Sequence, residues 1–226
     1  MKNILKYCMG YGLVIIILAL TACGDLYETH EKYLKMGEDT YIGLADSLKA
    51  NGGFNRIELK WQLNADPKIS TCVIIWNGSE KPLELAVDRA GKFMSTIIDL
   101  AEGKYIFTVV IKSDSGKESL PRTVSGEVYG TNYQSRLPQR GMKSIKNTGT
   151  NIIIQWAPEE GCIGVNLTYM GKDGNEQHLF VDGEEDTTII EDAVPGSEFV
   201  QISLFKPEIE AIDNIESLPI TRQFPD

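Results

Sequence analysis

A chain of 226 residues, 42% hydrophobic and 24% charged, is long enough for one large or two small folded domains. Its 32 acidic and 22 basic residues leave a net charge of −10, which argues against a nucleic-acid binder, because duplex affinity comes mostly from Lys and Arg neutralising phosphates. Four cysteines and two histidines are too few and too scattered for a disulfide framework or a spaced zinc motif.

Lys2 and Lys6 give a positive start, Gly12 to Leu20 (GLVIIILAL) an apolar run, and Leu20-Thr21-Ala22 small residues before Cys23. This is a secretory signal over residues 1–22, with an apolar run shorter than the roughly 20 residues a span requires. The LTAC sequence resembles the bacterial lipobox, which implies cleavage before Cys23 and lipidation of its thiol. Acyl chains contribute about 0.8 kcal/mol per buried CH₂, so several anchor a protein without a spanning helix. Cys8 leaves with the signal, and Cys72 and Cys162 are expected to be buried, unpaired small hydrophobes.

Residues 23–40 form a tether. Asp25 and Glu28 resemble a capping box, and Leu26, Tyr27, His30, Tyr33 and Leu34 share one helical face, so a short helix is expected over about residues 26–36. A first unit, residues 41–130, then reads as short alternating strands. Ile57–Trp61 and Cys72–Trp76 are two of them, and Asn77-Gly78 follows as a hairpin-turn dipeptide. Leu83–Val87, Ser95–Leu100 and the long Tyr105–Lys112 come next, and Glu118-Ser119-Leu120-Pro121 leads into the last strand.

Residues 131–142 form a basic linker. From Val128 to Pro158 there is no acidic residue, while Arg136, Arg140, Lys143 and Lys146 are basic, with Tyr129 and Tyr133 nearby. Two readings are open: a seam whose basic residues neutralise acidic faces of both units, or a contact for an acidic polymer or protein. The second unit, residues 143–226, repeats the first landmark by landmark. Trp156 answers Trp61, Tyr169 answers Trp76, Phe199 answers Tyr105, and Glu216-Ser217-Leu218-Pro219 repeats the tetrapeptide. The interval is near constant, so the chain is an internal duplication of a unit of about 90 residues. The second copy has a longer loop before its tetrapeptide, Pro207–Asn214, where Ile209, Ile212 and Ile215 recur every three residues. Either a helical turn capping its own sandwich or an exposed apolar loop for a partner accounts for that spacing.

About seven short strands per unit with no helical period between them predict an all-β fold of two tandem immunoglobulin-like sandwiches after a short helical tether. Leu100-Ala101-Glu102-Gly103-Lys104-Tyr105 resembles the L-x-P-G-x-x-Y corner of fibronectin type III domains, one residue shorter and with Glu102 for Pro. Ala193-Val194-Pro195-Gly196-Ser197-Glu198-Phe199 keeps the spacing, but Phe199 lacks the hydroxyl for the corner hydrogen bond. A closer resemblance rests on Lys32-Tyr33-Leu34, Gly37-Glu38, Trp61 to Ile69, Trp76-Asn77, Glu102-Gly103-x-Tyr105 and Val128-Tyr129-Gly130-x-x-Tyr133. These look like Bacteroidetes lipoproteins of the family catalogued as domain of unknown function 4998, which resembles components of surface glycan-acquisition systems. The resemblance implies an outer-membrane address and no catalytic residues.

The chemistry of the residues adds no active site. His30 and His178 lack neighbouring ligands, no phosphate-cradling loop precedes a helix, and no nucleophile elbow is present. The acidic groups Glu159-Glu160, Glu184-Glu185-Asp186 and Glu208/Glu210 sit in turns, and the Asp182–Asp186 loop lacks the calcium-loop ligand pattern. No metal, cofactor or enzyme activity is expected. Trp61 and Trp156 are assigned to the cores. The candidate ligand contacts are Trp76 and Tyr169 as edge aromatics, and Tyr129, Tyr133, Arg136 and Arg140 in the linker. The expected function is a membrane-anchored binding or accessory module in polysaccharide capture, held by lipid on Cys23. The alternative is a spacer or protein-interaction lipoprotein with an envelope protein as partner.

Overall fold

Apolar residues at every second position place one side chain of each pair inward, and two such sheets bury their apolar faces against each other. In the computed structural model this happens twice. The structure describes residues 42–63, 68–87 and 92–226. The signal, Cys23, His30 and the expected tether helix lie outside the described residues.

The first sandwich contains β1 (Ala45–Gly53), β2 (Arg56–Leu63), β3 (Ile69–Trp76), β4 (Leu83–Ala86), β5 (Phe93–Asp99), β6 (Gly103–Ser113) and β7 (Arg122–Val128). One sheet has the order β1-β2-β5 and the other β4-β3-β6-β7, all antiparallel. After α1 (Thr131–Arg136) the pattern repeats with β8 (Met142–Asn147), β9 (Ile152–Trp156), β10 (Cys162–Met170), β11 (Glu176–Asp182), β12 (Thr187–Ile190) and β13 (Glu198–Phe205). The last strand of this copy is split into β14 (Ile215–Glu216) and β15 (Ile220–Gln223), both paired to β13. Its sheets run β12-β9-β8 and β11-β10-β13-β14. The paired orders are those expected of fibronectin-like sandwiches.

Each copy has its own core. Trp61, Ile57 and Leu59 of β2 face Cys72, Ile74, Phe107, Val109 and Ile111 in the first. Trp156, Ile152 and Ile154 of β9 face Val165, Leu167, Tyr169 and Phe199 in the second. The two tryptophans are handled differently. Trp156 Nε1 donates to Thr188 Oγ1 (2.9 Å), and Thr188 in turn donates to Glu185. Trp61 Nε1 has no acceptor among the described residues, although Thr96 holds the matching place opposite Leu59.

The corner tyrosine does what its motif implies: Tyr105 Oη donates to the Ala101 carbonyl at 2.9 Å. In the second copy Phe199 stacks on Phe224 with centroids 4.4 Å apart, and Tyr169 meets the edge of the same ring. The corner is tied there by Tyr169 Oη donating to Asp192 (2.8 Å) from β10 instead of β13.

The repeated tetrapeptide owes its recurrence to its serine. Ser119 N–H donates to the Ile111 carbonyl (2.8 Å) while Ser119 Oγ accepts the Ile111 N–H (3.0 Å). Ser217 makes the same pair of bonds with Ser203, at 2.8 and 2.9 Å. The hydroxyl thus satisfies a strand amide just where the following Pro breaks the ladder. Both serines are buried, whereas Leu120 and Leu218 stand 57% and 54% exposed. Ser119→Ala and Ser217→Ala should each destabilise the chain by about 1–3 kcal/mol, because a buried N–H loses its acceptor. Ser217→Ala should cost more, since Ser217 Oγ also accepts from Gln139 Nε2. Urea midpoints at constant slope measure this, and leucine-to-alanine changes at 120 and 218 should be close to neutral.

Candidate functional site

Two devices govern the region between the copies, and both begin with residues that depart from the repeat. The first is the start of the linker. Glu102, in the place of the corner proline, turns its carboxylate onto the N-terminus of α1, accepting from Asn132 N–H and Tyr133 N–H (both 2.8 Å). A carboxylate there satisfies open amides and complements the positive end of the turn. The proline of the usual motif could not do this, so the substitution pins the linker to the first sandwich.

The second device is the end of the linker. Arg140 is 1% exposed. Its guanidinium donates to three carbonyls, Ala157 O (3.0 Å), Asp182 O (2.9 Å) and Glu185 O (2.8 Å), and lies 5.4 Å from the Trp156 ring centroid. The acidic 182–186 loop is organised around this internal cation. Around it β13 changes character. Where the first copy has Val109 and Ile111, the second has Gln201 and Ser203, both fully buried. Gln201 Nε2 donates to the Arg140 carbonyl (2.8 Å), and Ser203 Oγ accepts from the Arg140 N–H (2.9 Å). Removing one member would leave buried polar groups unsatisfied, so the linker is locked into the second sandwich.

A return loop closes the seam. Pro207–Asn214 holds no helix: Ala211 N–H reaches Glu208 O in a single turn, and the three isoleucines diverge. Ile209 is 92% exposed, Ile215 is buried in β14, and Ile212 packs on the first sandwich. The loop therefore caps the other copy. Ile212 N–H donates to Gly52 O (2.9 Å), and Asp213 accepts from Phe54 N–H (2.9 Å), Arg56 Nε (3.0 Å) and Arg56 Nη2 (2.6 Å). Tyr129 Oη donates to Glu208 (2.6 Å), and exposed Lys49 pairs with Glu210. Gly53 has to be glycine, since a Cβ there would stand 2.5 Å from Asp213 Oδ2 and 2.6 Å from Ile212 Cγ1.

Between these contacts lies an open cleft of about 440 Å³, lined by Phe54, Arg56 and Gln134 on one side and Leu204, Asp213, Asn214 and Glu216 on the other. Gln134 Nε2 donates to Glu216 O across it (3.0 Å).

The structure separates the candidate contacts. Trp76 ends β3 half-buried, tilted against Phe107 at 6.1 Å, and covers the first core. Tyr169, 7% exposed, points into the second core, so the two edge aromatics do not form a shared surface. Tyr129 is 5% exposed and commits its hydroxyl to Glu208; burial and that carboxylate push its pKa up. Tyr133 packs on Tyr129 with centroids 4.7 Å apart. Tyr129, Tyr169 and Arg140 are thus internal, which corrects their assignment as ligand contacts. Arg136 is exposed and donates to Asn132 O. The seam cation is also corrected: it is Arg56 of β2, and among the described residues none of Arg136, Arg140, Lys143 and Lys146 makes an ion pair.

The remaining reactive groups are quiet. Burial pushes the Cys72 thiol up to about 12, and Cys162 is also raised; both are free. His178 is on the surface, hydrogen-bonded to Thr168. Among the described residues no His, Cys, Asp and Glu cluster of metal-binding size occurs.

The hydrogen bonds from Arg56 hold the Asp213 carboxyl below its ordinary value, with Phe54 N–H assisting and burial opposing. A depressed carboxylate stabilises the fold above its unfolded pKa of about 3.9 and loses that contribution as pH falls through the lower folded value. Asp213→Asn should therefore melt below the parent chain at pH 5–8, and the gap should narrow as pH falls below about 4. Paired thermal scans across that range check it.

A family model described as a domain of unknown function matches residues 23–215. Among solved structures, a two-domain fibronectin type III segment of chicken tenascin is 16% identical, covers 80% of this chain and 99% of its own, and has a TM-score of 0.33. The FN1–FN3 domains of chicken CNTN1 are 12% identical, covering 80% and 67%, with a TM-score of 0.38. No match is found among curated proteins.

Proposed function

The chain belongs to the domain of unknown function 4998 family, and on that premise we propose that it is a non-catalytic, membrane-anchored binding module that captures polysaccharide at the cell envelope. The anchor is lipid on Cys23, placing the protein in the outer membrane. The observation that carries the reading is the seam cleft. A loop longer than its counterpart crosses to the other sandwich and leaves an open, mixed polar and apolar cleft between them. Clefts at domain seams, apolar with a few convergent polar groups, are common ligand sites. Phe54 offers apolar surface, and Arg56, Gln134 and Asn214 offer hydrogen-bond donors. That is the chemistry a hydroxyl-rich ring with apolar faces requires.

The interlocked seam also favours a second reading, a stiff spacer or protein-interaction lipoprotein, because fixed tandem sandwiches hold a partner at a set distance. One experiment separates them. The full chain, purified in detergent, should bind at least one member of a broad polysaccharide array. Cys23→Ser should bind the same glycan but shift from the membrane to the soluble fraction of the envelope. A chain that binds no glycan while co-purifying with an envelope protein contradicts capture and supports the spacer.

A further inference from the structure

We infer that the glycan contact is an open groove running from the seam cleft across the outer face of the second sandwich to Phe180, and that its ligand is an extended, uncharged oligosaccharide. This rests on the polysaccharide-capture reading above and names its site.

The register defines the groove. Leu204 lies opposite Glu216 on one side and Gly164 on the other, and Asn166 lies opposite both Ile202 and Phe180. Val165, Leu167, Ser203 and Phe205 point inward and are buried, so Gly164, Asn166, Ile202, Leu204 and Phe180 share the outer face. Leu204 also lines the seam cleft. The face and the cleft are therefore continuous. From β14 to β11 the row crosses three strand spacings, roughly 14 Å, which accommodates more than one sugar ring.

Phe180 is the platform. A Cβ at position 164 would collide with Cζ and Cε2 of Phe180, so the ring lies down over the glycine backbone. It is nevertheless 54% exposed, leaving aromatic surface to solvent. Polar side chains stand beside it on the same face. Asn166 has an amide with no side-chain partner among the described residues, and Thr168 shares a hydrogen bond with His178 (3.1 Å). Aromatic surface beside amide and hydroxyl groups matches a sugar ring, apolar on its C–H face and polar at its rim.

Charge selects the class. Arg56 is neutralised by Asp213, and Glu216 and Asp182 border the row. The chain carries a net charge of −10. A uronic-acid or sulfated polymer would meet these carboxylates, and the one cation among the residues lining the cleft, Arg56, is already paired, whereas a neutral glycan meets no such repulsion.

Aromatic cover of a strand glycine also stabilises sheets, so the test separates cover from contact. Affinity electrophoresis of the full chain in detergent, through gels holding dextran, mannan, laminarin, xyloglucan or polygalacturonate, reads binding; thermal melting reads cover. The parent chain should be retarded by at least one neutral polymer and not by polygalacturonate. Phe180→Leu, which keeps apolar cover without the aromatic face, should melt near the parent and bind about tenfold more weakly or worse. Phe180→Trp should restore retardation. Retardation of Phe180→Leu equal to the parent overturns this groove but leaves polysaccharide capture standing. Strongest retardation by polygalacturonate overturns the uncharged class. No retardation of the parent chain in any gel overturns both this site and the capture reading.

Discussion

The arrangement of the two sandwiches depends on one carboxylate. Asp213 comes from the second copy and accepts three hydrogen bonds from the first, two from the Arg56 guanidinium and one from Phe54 N–H. Everything nearby is shaped to let it arrive. Pro207–Asn214 is longer than its counterpart, Gly53 lacks a side chain in its path, and Ile212 N–H adds a backbone bond to Gly52. The three bonds act together because a planar guanidinium fork and a strand-end amide fix the carboxylate in position and orientation. The linker supplies the complementary restraint. Glu102 holds its start to one sandwich and Arg140 plugs its end into the other, so neither end is free to swing.

Duplicated units diverge where they must meet. The interior of β6 is apolar at Val109 and Ile111, and the equivalent places of β13 are Gln201 and Ser203, which receive the linker backbone. The corner proline becomes Glu102, which trades a rigid turn for a helix cap. The corner tyrosine is kept at Tyr105, whereas in the second copy the register sets Phe199 against Phe107 and Tyr169 ties the loop from another strand. The tetrapeptide, by contrast, is retained because its serine replaces a ladder bond in both copies. Repetition therefore marks what a sandwich needs, and departure marks what the pair needs.

The strands and the duplication were legible because period-two alternation, turn dipeptides and repeated landmarks are local signals. Trp61 and Trp156 were readable as core on the same grounds. The seam was not legible in that way. Arg140 carries no mark that distinguishes a buried cation from a surface one; its burial depends on carbonyls at 157, 182 and 185 that only the fold brings together. The isoleucine spacing in 207–214 suggested a helix face, but the three side chains serve a solvent turn, an inter-copy contact and a strand. Phe180 did carry a signal: Leu179 and Val181 alternate inward, so Phe180 must point out, and a glycine across the strand makes room for it. Gln201 and Ser203 were a similar signal, polar residues at inward positions of a central strand.

In functional terms, a fixed seam turns two ordinary sandwiches into one surface, with Leu204 joining the cleft to the outer sheet face. That surface exists only if the return loop stays seated in solution. Amide hydrogen exchange reports this directly, because Phe54 N–H and Ile212 N–H each bond across the seam. The account predicts that both amides exchange slowly and together, far more slowly than the amide of exposed Ile209 in the same loop. Exchange of Phe54 and Ile212 as fast as Ile209 would contradict it, and would mean that the two sandwiches are linked but not locked.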